Sequence, residues 1–307
     1  MTSGNHTELY EAVYIFDMIN QRQKNGPIQL TDKDEIIKTG INESIYKAVI
    51  RILVANGLLE YDGGAVALTG GQQEEHGRIL GCIEEGKDGR YKQLWNKAVD
   101  GTRFFFDRLN ELEYEVYSRC NYAVTFETGK KVANHLSLDG MKALELGGNS
   151  GGLAASLLSV SRDCHYTVVD TKIPCMVGNE FNETNRLDIT FIEGDIFNLE
   201  LSGGFYDYII MMNLLHDFDD NKCLRILRNC SKHCKNGTRL VIIEDILASE
   251  FKPVDVLTHG LRLAVECRGG GQRTAGELSA LLAGIGCVPE ESIRLSNVHT
   301  MLIMGVA

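Results

Sequence analysis

The 307-residue chain holds only four prolines and one tryptophan, and its nine cysteines form no CxxC pair. An odd cysteine count without paired spacing argues against a disulfide framework or a zinc ribbon. Cys230 and Cys234, with His233 beside them, resemble a metal pair only loosely. The same spacing suits a helix carrying reduced thiols, and no metal is expected. Basic clusters are equally scarce. The formal charge is −11, and the densest cationic run is KK at 130–131, which reads as a solvated helix face. A negative surface repels phosphate backbones, so nucleic acid is not an expected partner. No run reaches the ~18 apolar residues of a membrane span. The opening MTSGNHTELYEAVY has neither a basic start nor an apolar core, so a secretory signal is not expected and a reduced, cytoplasmic setting is. No repeat, low-complexity tract or Gly-Lys-Ser/Thr ending occurs, and the last absence removes the phosphate-cradling Walker loop.

What is present falls into two grammars. Residues 9–19 carry apolar side chains at helical spacing, and TDKDEIIKTG reads as a short helix from Thr31 to Gly40. The next helix presents Ile45, Val49, Ile52 and Leu53 on one face and ends at Gly57; LLEY and AVALT then flank DGG, a hairpin signal. Helix, helix, helix, hairpin is the order of a winged helix. Residues 74–138 read as helical. From Met141 apolar runs alternate with helical stretches: KALEL, HYTVVD, ITFIEG, YDYIIMMN, TRLVIIED, IRLSN and VHTMLIMGVA. This alternation predicts an α/β fold with a parallel sheet, closed by an antiparallel C-terminal hairpin. Ligands of such sheets lie beyond the carboxyl ends of the strands.

The first of those ends reads ALELGGNSGGLAASLL. A dinucleotide loop needs a glycine where Asn149 stands, because a side chain there crowds the pyrophosphate. S-adenosylmethionine (SAM) brings no phosphate, and asparagine tolerates a left-handed turn. Three acids then follow successive strands. Glu145 is placed for an ammonium group, Asp170 for two ribose hydroxyls, and Asp195 for an adenine amino group with Ile196 packing on the ring. Each is a common strand-end acid; the three together favour SAM.

Together with VIRILVANGLLEYDGGAVALTG, LELGGNSG and VVDTKIP, the ordered set YDYIIMMNLLHDFDDNKCLRILRNC, GTRLVIIEDIL and GGGQRTAGELSALLAGIGC carries a resemblance. The sequence resembles class I SAM-dependent O-methyltransferases of the plant caffeate/hydroxyindole type and their bacterial relatives, over nearly the whole chain. The resemblance implies a Rossmann-like α/β catalytic domain at 139–307, a winged-helix dimerisation domain at 1–73, and a helical linker at 74–138 that helps form the acceptor pocket. It implies a homodimer, a small-molecule acceptor, and SAM converted to S-adenosylhomocysteine. It also implies His216 as general base, oriented by Glu244 and by the position of Gln272, where the family has a second carboxylate. A phenol near pKa 10 is mostly un-ionised at neutral pH, and an imidazole titrating near neutrality can take its proton. The cofactor loop is expected at Gly147, Gly148, Asn149 and Gly151, with further cofactor positions at Met212 and Asn213. These last two replace a family lysine and tryptophan; 260–264 reads GLRLA instead of DLxML, and Asn121 stands at the family's substrate-side methionine. The departures fall on the acceptor side, so the acceptor is expected to differ from a typical plant phenolic. Two other readings stay open: the same fold serving N-, C- or S-methylation or a non-methylating reaction, and a ligand-sensing winged-helix regulator. For the regulator, the candidate recognition helix offers only Lys47 and Arg51 as cations.

Overall fold

The computed structural model describes residues 28–29, 43–55, 59–62, 65–68, 105–202, 204–249, 254–267 and 269–306. The helices expected at 9–19 and 31–40, and the stretch 74–104, lie outside them. The chain divides into two compact units, one of residues 1–104 and 247–272, the other of 105–246 and 273–307.

In the first unit, β1 (Ile28–Gln29), α1 (Glu43–Ala55), β2 (Leu59–Asp62), β3 (Ala65–Leu68) and α7 (Val254–Glu266) are described. β2 and β3 form the expected hairpin around DGG, and β1 adds antiparallel to β3. α1 buries Tyr46, Val49, Ile50 and Leu53, an i, i+3, i+4, i+7 stripe, and packs on α7. That stripe is rotated from the expected one: Ile52 is half-exposed, because Tyr46 and Ile50 complete the 3.6-residue period with Val49 and Leu53.

The second unit is a seven-stranded sheet in the order β6-β5-β4-β7-β8-β10-β9. Its strands are β4 (Lys142–Leu146), β5 (His165–Asp170), β6 (Ile189–Glu193), β7 (Tyr206–Met212), β8 (Cys234–Asp245), β9 (Cys287–Arg294) and β10 (His299–Val306). All pairings are parallel except those of β10 with β8 and β9, which confirms the α/β class and the antiparallel end. Helices α2 (Phe105–Arg108), α3 (Glu111–Ala133), α4 (Gly152–Leu158), α5 (Lys172–Asn185), α6 (Asp220–Ser231) and α8 (Ala275–Ala283) accompany it. The central strands are buried almost end to end, as parallel strands covered on both faces must be. β9 tolerates Pro289 and several exposed residues because it lies at the sheet's edge. Two boundaries differ from the sequence reading. α6 stops at Ser231, so Cys234 opens β8 instead of closing the helix, and β9 begins at Cys287, well before IRLSN.

α3 starts with a reciprocal cap, in which the Glu113 amide donates to Asn110 Oδ1 and the Asn110 amide donates to Glu113 Oε2. It lies close against α4, and glycines make that possible. A Cβ on Gly152 would stand 2.2 Å from Thr125 Oγ1 and 2.3 Å from the Tyr122 carbonyl, and one on Gly129 would meet Ser156 Cβ at 2.6 Å. No helix among the described residues is long and apolar enough to cross a membrane.

Candidate active site at the carboxyl edge of the sheet

β4 and β7 are neighbours, while the chain leaves β4 toward β5 and returns to β7; this is the switch point where open α/β sheets take ligands. The loop after β4 holds three successive features. Gly147 has φ 66°, Asn149 φ 50° and Gly151 φ 81°, so the asparagine does adopt the left-handed turn. Its Oδ1 accepts the Ser150 amide at 2.8 Å, a local bond that suits that conformation. The glycines answer to the protein's own packing. A Cβ on Gly147 would meet Leu214 Cδ1 at 2.6 Å, one on Gly148 would meet Glu145 Cδ at 2.7 Å, and one on Gly151 would meet Phe191 Cζ at 2.7 Å. Ser150 Oγ donates to the Ser118 carbonyl at 2.7 Å, which ties the loop to α3.

The expected acids take different stations. Glu145 is 1% exposed and accepts the Tyr166 hydroxyl at 3.0 Å beneath the glycine turn. Burial outweighs that hydrogen bond and pushes its carboxyl up to about 8. Asp170, at the end of β5, accepts the Asn149 amide on one oxygen (2.8 Å) and its neighbour Thr171's amide on the other (2.7 Å). Burial raises its pKa against these bonds. Tyr114 of α3 reaches the same corner, with its hydroxyl 2.9 Å from Thr171 Oγ1. Asp195 is exposed and caps the 3₁₀ turn Ile196–Asn198, accepting the Phe197 amide at 2.8 Å and Asn198 Nδ2 at 2.6 Å. Ile196 beside it is half-buried. Met212 joins the buried apolar core of the sheet. Asn213 follows it at φ 50°, donates its amide to the Ile243 carbonyl at 2.9 Å, and keeps a buried Oδ1 with no partner among the described residues.

Beyond β7 the chain makes one 3₁₀ turn, Leu215–Asp217. His216 stands on it, 8% exposed, with Nδ1 2.7 Å from Oε2 of Glu244 at the end of β8. The other carboxylate oxygen, Glu244 Oε1, accepts the amides of Leu214, Leu215 and His216 at 3.1, 2.9 and 3.3 Å. One carboxylate therefore holds both the turn and its imidazole. A carboxylate beside Nδ1 keeps a proton there and directs Nε2 the other way, where Asp217 Oδ1 lies at 3.6 Å. Burial drags the imidazole pKa down, but Glu244, Asp217 and Asp245 outweigh it and push it up to about 9. This is well above the near-neutral imidazole expected from the sequence, where Glu244 is legible as a partner but the two aspartates are not, although HD and ED adjoin in LHDFDD and VIIEDIL.

Gln272 lies in the first unit. Its Nε2 is 3.2 Å from Nδ1 of His259 on α7, and its Oε1 is buried without a partner among the described residues. Gly260 makes room for it, since a Cβ there would approach the Gln272 amide nitrogen at 3.2 Å.

A family model described as an O-methyltransferase domain matches residues 82–287. The chain belongs to that O-methyltransferase domain family. It is 33% identical over 146 residues to the acetylserotonin O-methyltransferase of Bos taurus, a match spanning 46% of this chain and 41% of that protein. The chain thus covers less than half the length of that relative. Solved structures share the fold: an O-methyltransferase family 2 protein of Planctomyces limnophilus in complex with apigenin has a TM-score of 0.81 at 18% identity, covering 98% of this chain and 92% of that one. Human N-acetylserotonin methyltransferase in complex with SAM has a TM-score of 0.61 at 21% identity, covering 98% and 93%.

Proposed function

We propose that the chain is a SAM-dependent methyltransferase that methylates a hydroxyl of a small, hydroxylated aromatic acceptor, with His216 as general base. The observation that carries this reading is the His216–Glu244 dyad beside the switch point of the sheet. Relatives named for acetylserotonin and for the alkaloid cephaeline are consistent with an aromatic acceptor.

The residues present fit SAM. Asp170 Oδ2 accepts only the Asn149 amide and keeps a lone pair for a ribose hydroxyl, while Oδ1 takes the Thr171 amide and, at 3.3 Å, its hydroxyl. Asn213 Oδ1 is a buried acceptor still wanting a donor, as an ammonium group would supply. The loop at Gly147, Gly148, Asn149 and Gly151 offers a tight left-handed turn, and Ile196 after Asp195 offers an apolar face for a base. When bound, SAM supplies an electrophilic methyl group on a cationic sulfonium. The protein's own part is to hold the acceptor oxygen in line, to remove its proton at His216 Nε2, and to settle that proton's charge on Glu244. Gln272 stands where the family's second carboxylate is expected, and an amide supports an imidazolium less than a carboxylate does.

The first unit supports a winged-helix module for homodimer formation, since α1 is followed by a hairpin that a third short strand joins. The boundaries 1–73, 74–138 and 139–307, and the cytoplasmic setting, belong to the same proposal. A regulator reading has little to stand on: Arg51 is buried, and Lys47 pairs with Glu43 at 2.7 Å.

The test is S-adenosylhomocysteine release with a panel of hydroxylated aromatics, N-acetylserotonin and apigenin among them, alongside calorimetry with SAM. His216→Ala should cut turnover about 10²–10⁴-fold while SAM binding persists. Failure to bind SAM at millimolar concentration overturns the whole reading. Turnover unaffected by His216→Ala overturns the base and points to an N, C or S acceptor.

A further inference from the structure

We propose that Arg273 is a positioning residue for His216, its guanidinium and the Cys223 thiol gripping the carbonyls that flank the imidazole. This rests on the reading of His216 as the base. A single 3₁₀ turn has poor hydrogen-bond geometry and little stability of its own. Its amides are taken by Glu244, but the carbonyls on its far side need partners too. Arg273 supplies them. Nη1 donates to the Leu215 carbonyl at 3.0 Å and Nη2 to the Phe218 carbonyl at 2.7 Å, while Nε donates to Asp220 Oδ1 at 2.9 Å. The Cys223 thiol reaches the same two carbonyls, at 3.2 and 3.5 Å. Burial pushes that thiol up to about 12 although Arg273 pulls the other way, so it remains an S–H donor.

The turn carrying His216 is therefore held from both ends, its amides by Glu244 and its carbonyls by Arg273 and Cys223. The grip is rigid because each part is anchored elsewhere. Arg273 is only 11% exposed and directly precedes Thr274, whose hydroxyl caps α8 with a reciprocal bond to Glu277. Cys223 sits within α6 and is fully buried. The planar fork of arginine can serve two carbonyls and a carboxylate at once, which a lysine ammonium on a flexible stem cannot do in one geometry. A guanidinium buried this deeply is costly unless its donors are used, and these are. Nothing in the turn's own sequence identifies the clamp, because Arg273 lies 57 residues further along the chain (273 − 216).

The test follows the His216 imidazole directly, by ¹⁵N-histidine NMR titration of the cofactor-free protein, with steady-state kinetics beside it. Arg273→Lys keeps the charge and removes the fork, so an effect of charge alone predicts no change. The positioning role predicts that the His216 titration falls toward that of an ordinary imidazole as the ring loosens from Glu244. It also predicts a drop in kcat of about 10–100-fold with the acceptor KM nearly unchanged, as a small displacement of a reacting group would cause. Asp220→Asn is the second variant; Asp220 is 68% exposed, so folding should survive, and a smaller shift of the same sign is expected. A His216 titration unchanged in both variants overturns the proposal, as does a lowered Tm with unchanged kcat per folded enzyme. Should no acceptor ever be turned over, the methyl-transfer reading fails, while the titration still decides the clamp on its own.

Discussion

At His216 the decisive quantity is charge. Three carboxylates around a buried ring give an imidazole pushed up to about 9, so only about one ring in a hundred is neutral at pH 7 in the free protein. For a reaction needing the neutral base, kcat/KM should climb about tenfold per pH unit until it levels near 9, since kcat/KM reports groups of the free enzyme. A pH–rate profile flat from 6 to 9 would remove His216 from the rate-limiting step. Glu244→Gln sharpens the test. The amide oxygen can still accept the backbone N–H groups, but the charge beside Nδ1 is gone, so the rise in rate should level at lower pH and at a smaller maximum. Stability follows by linkage. The imidazole's folded pKa is raised, so its contribution is complete below about 6.5 and is lost as pH rises through about 9. The gap in Tm between wild type and Glu244→Gln should therefore be widest in mild acid and narrow toward pH 9. Glu244→Ala should be worse than Gln at every pH, because three amides lose their acceptor at about 1–3 kcal/mol for each one left buried.

Among the elements, the joint between α3 and the SAM-type loop governs whether the loop keeps its shape. Gly152→Ala places a methyl 2.2 Å from Thr125 Oγ1 and 2.3 Å from the Tyr122 carbonyl, and a helix backbone cannot give way cheaply. It should cost about 1–3 kcal/mol and weaken SAM binding, read by thermal melts and calorimetry. Gly276→Ala is the opposite case: it lies inside α8 and its Cβ would meet nothing nearer than 3.9 Å, so a gain of roughly 0.5–1 kcal/mol is expected. The contrast also marks what a sequence can disclose. ALELGGNSGG announced a turn at a strand end, and the turn is there, including a left-handed Asn149. What it did not announce is that Gly151 is small for Phe191 and Gly152 for α3, since those neighbours come from sequence-distant packing. Strands β4 and β7 were legible because buried parallel strands are continuous apolar runs. The start of β9 was not, because an edge strand such as CVPEESIR has no apolar alternation to read. Met212 and Asn213 show the same split: their position after YDYII was clear, but only the fold separates a core side chain from one with an open acceptor.

For the whole molecule, two departures from the family pattern that are twelve residues apart in sequence (272 − 260) prove to be neighbours. Gly260 leaves the space against which Gln272 packs, so they read as one change in the first unit and not two. Acidity then acts on the entire fold in one direction. Glu145 is buried and pushed up to about 8, so the fold prefers it protonated, and stability is lost as pH rises from the ordinary carboxylate range to about 8. His216 loses its contribution between about 6.5 and 9, the same sign over an overlapping window. The formal charge of −11 adds self-repulsion that opposes the compact state. On the acid side Asp207 opposes the trend. Its pKa is lowered by the Lys142 amide and Lys235, so its contribution is present above the ordinary carboxylate range and is lost as pH falls through its own pKa. The Tm should therefore peak in mild acid and fall steadily between pH 6.5 and 8, where Glu145 and His216 act together. Glu145→Gln keeps an acceptor for the Tyr166 hydroxyl and removes one of the two titrations, so its curve should be flatter up to pH 8 and then follow the fall that His216 alone causes. A wild-type Tm that increases from pH 6 to pH 9 would contradict both shifts at once, because neither group can stabilise the fold by losing its proton.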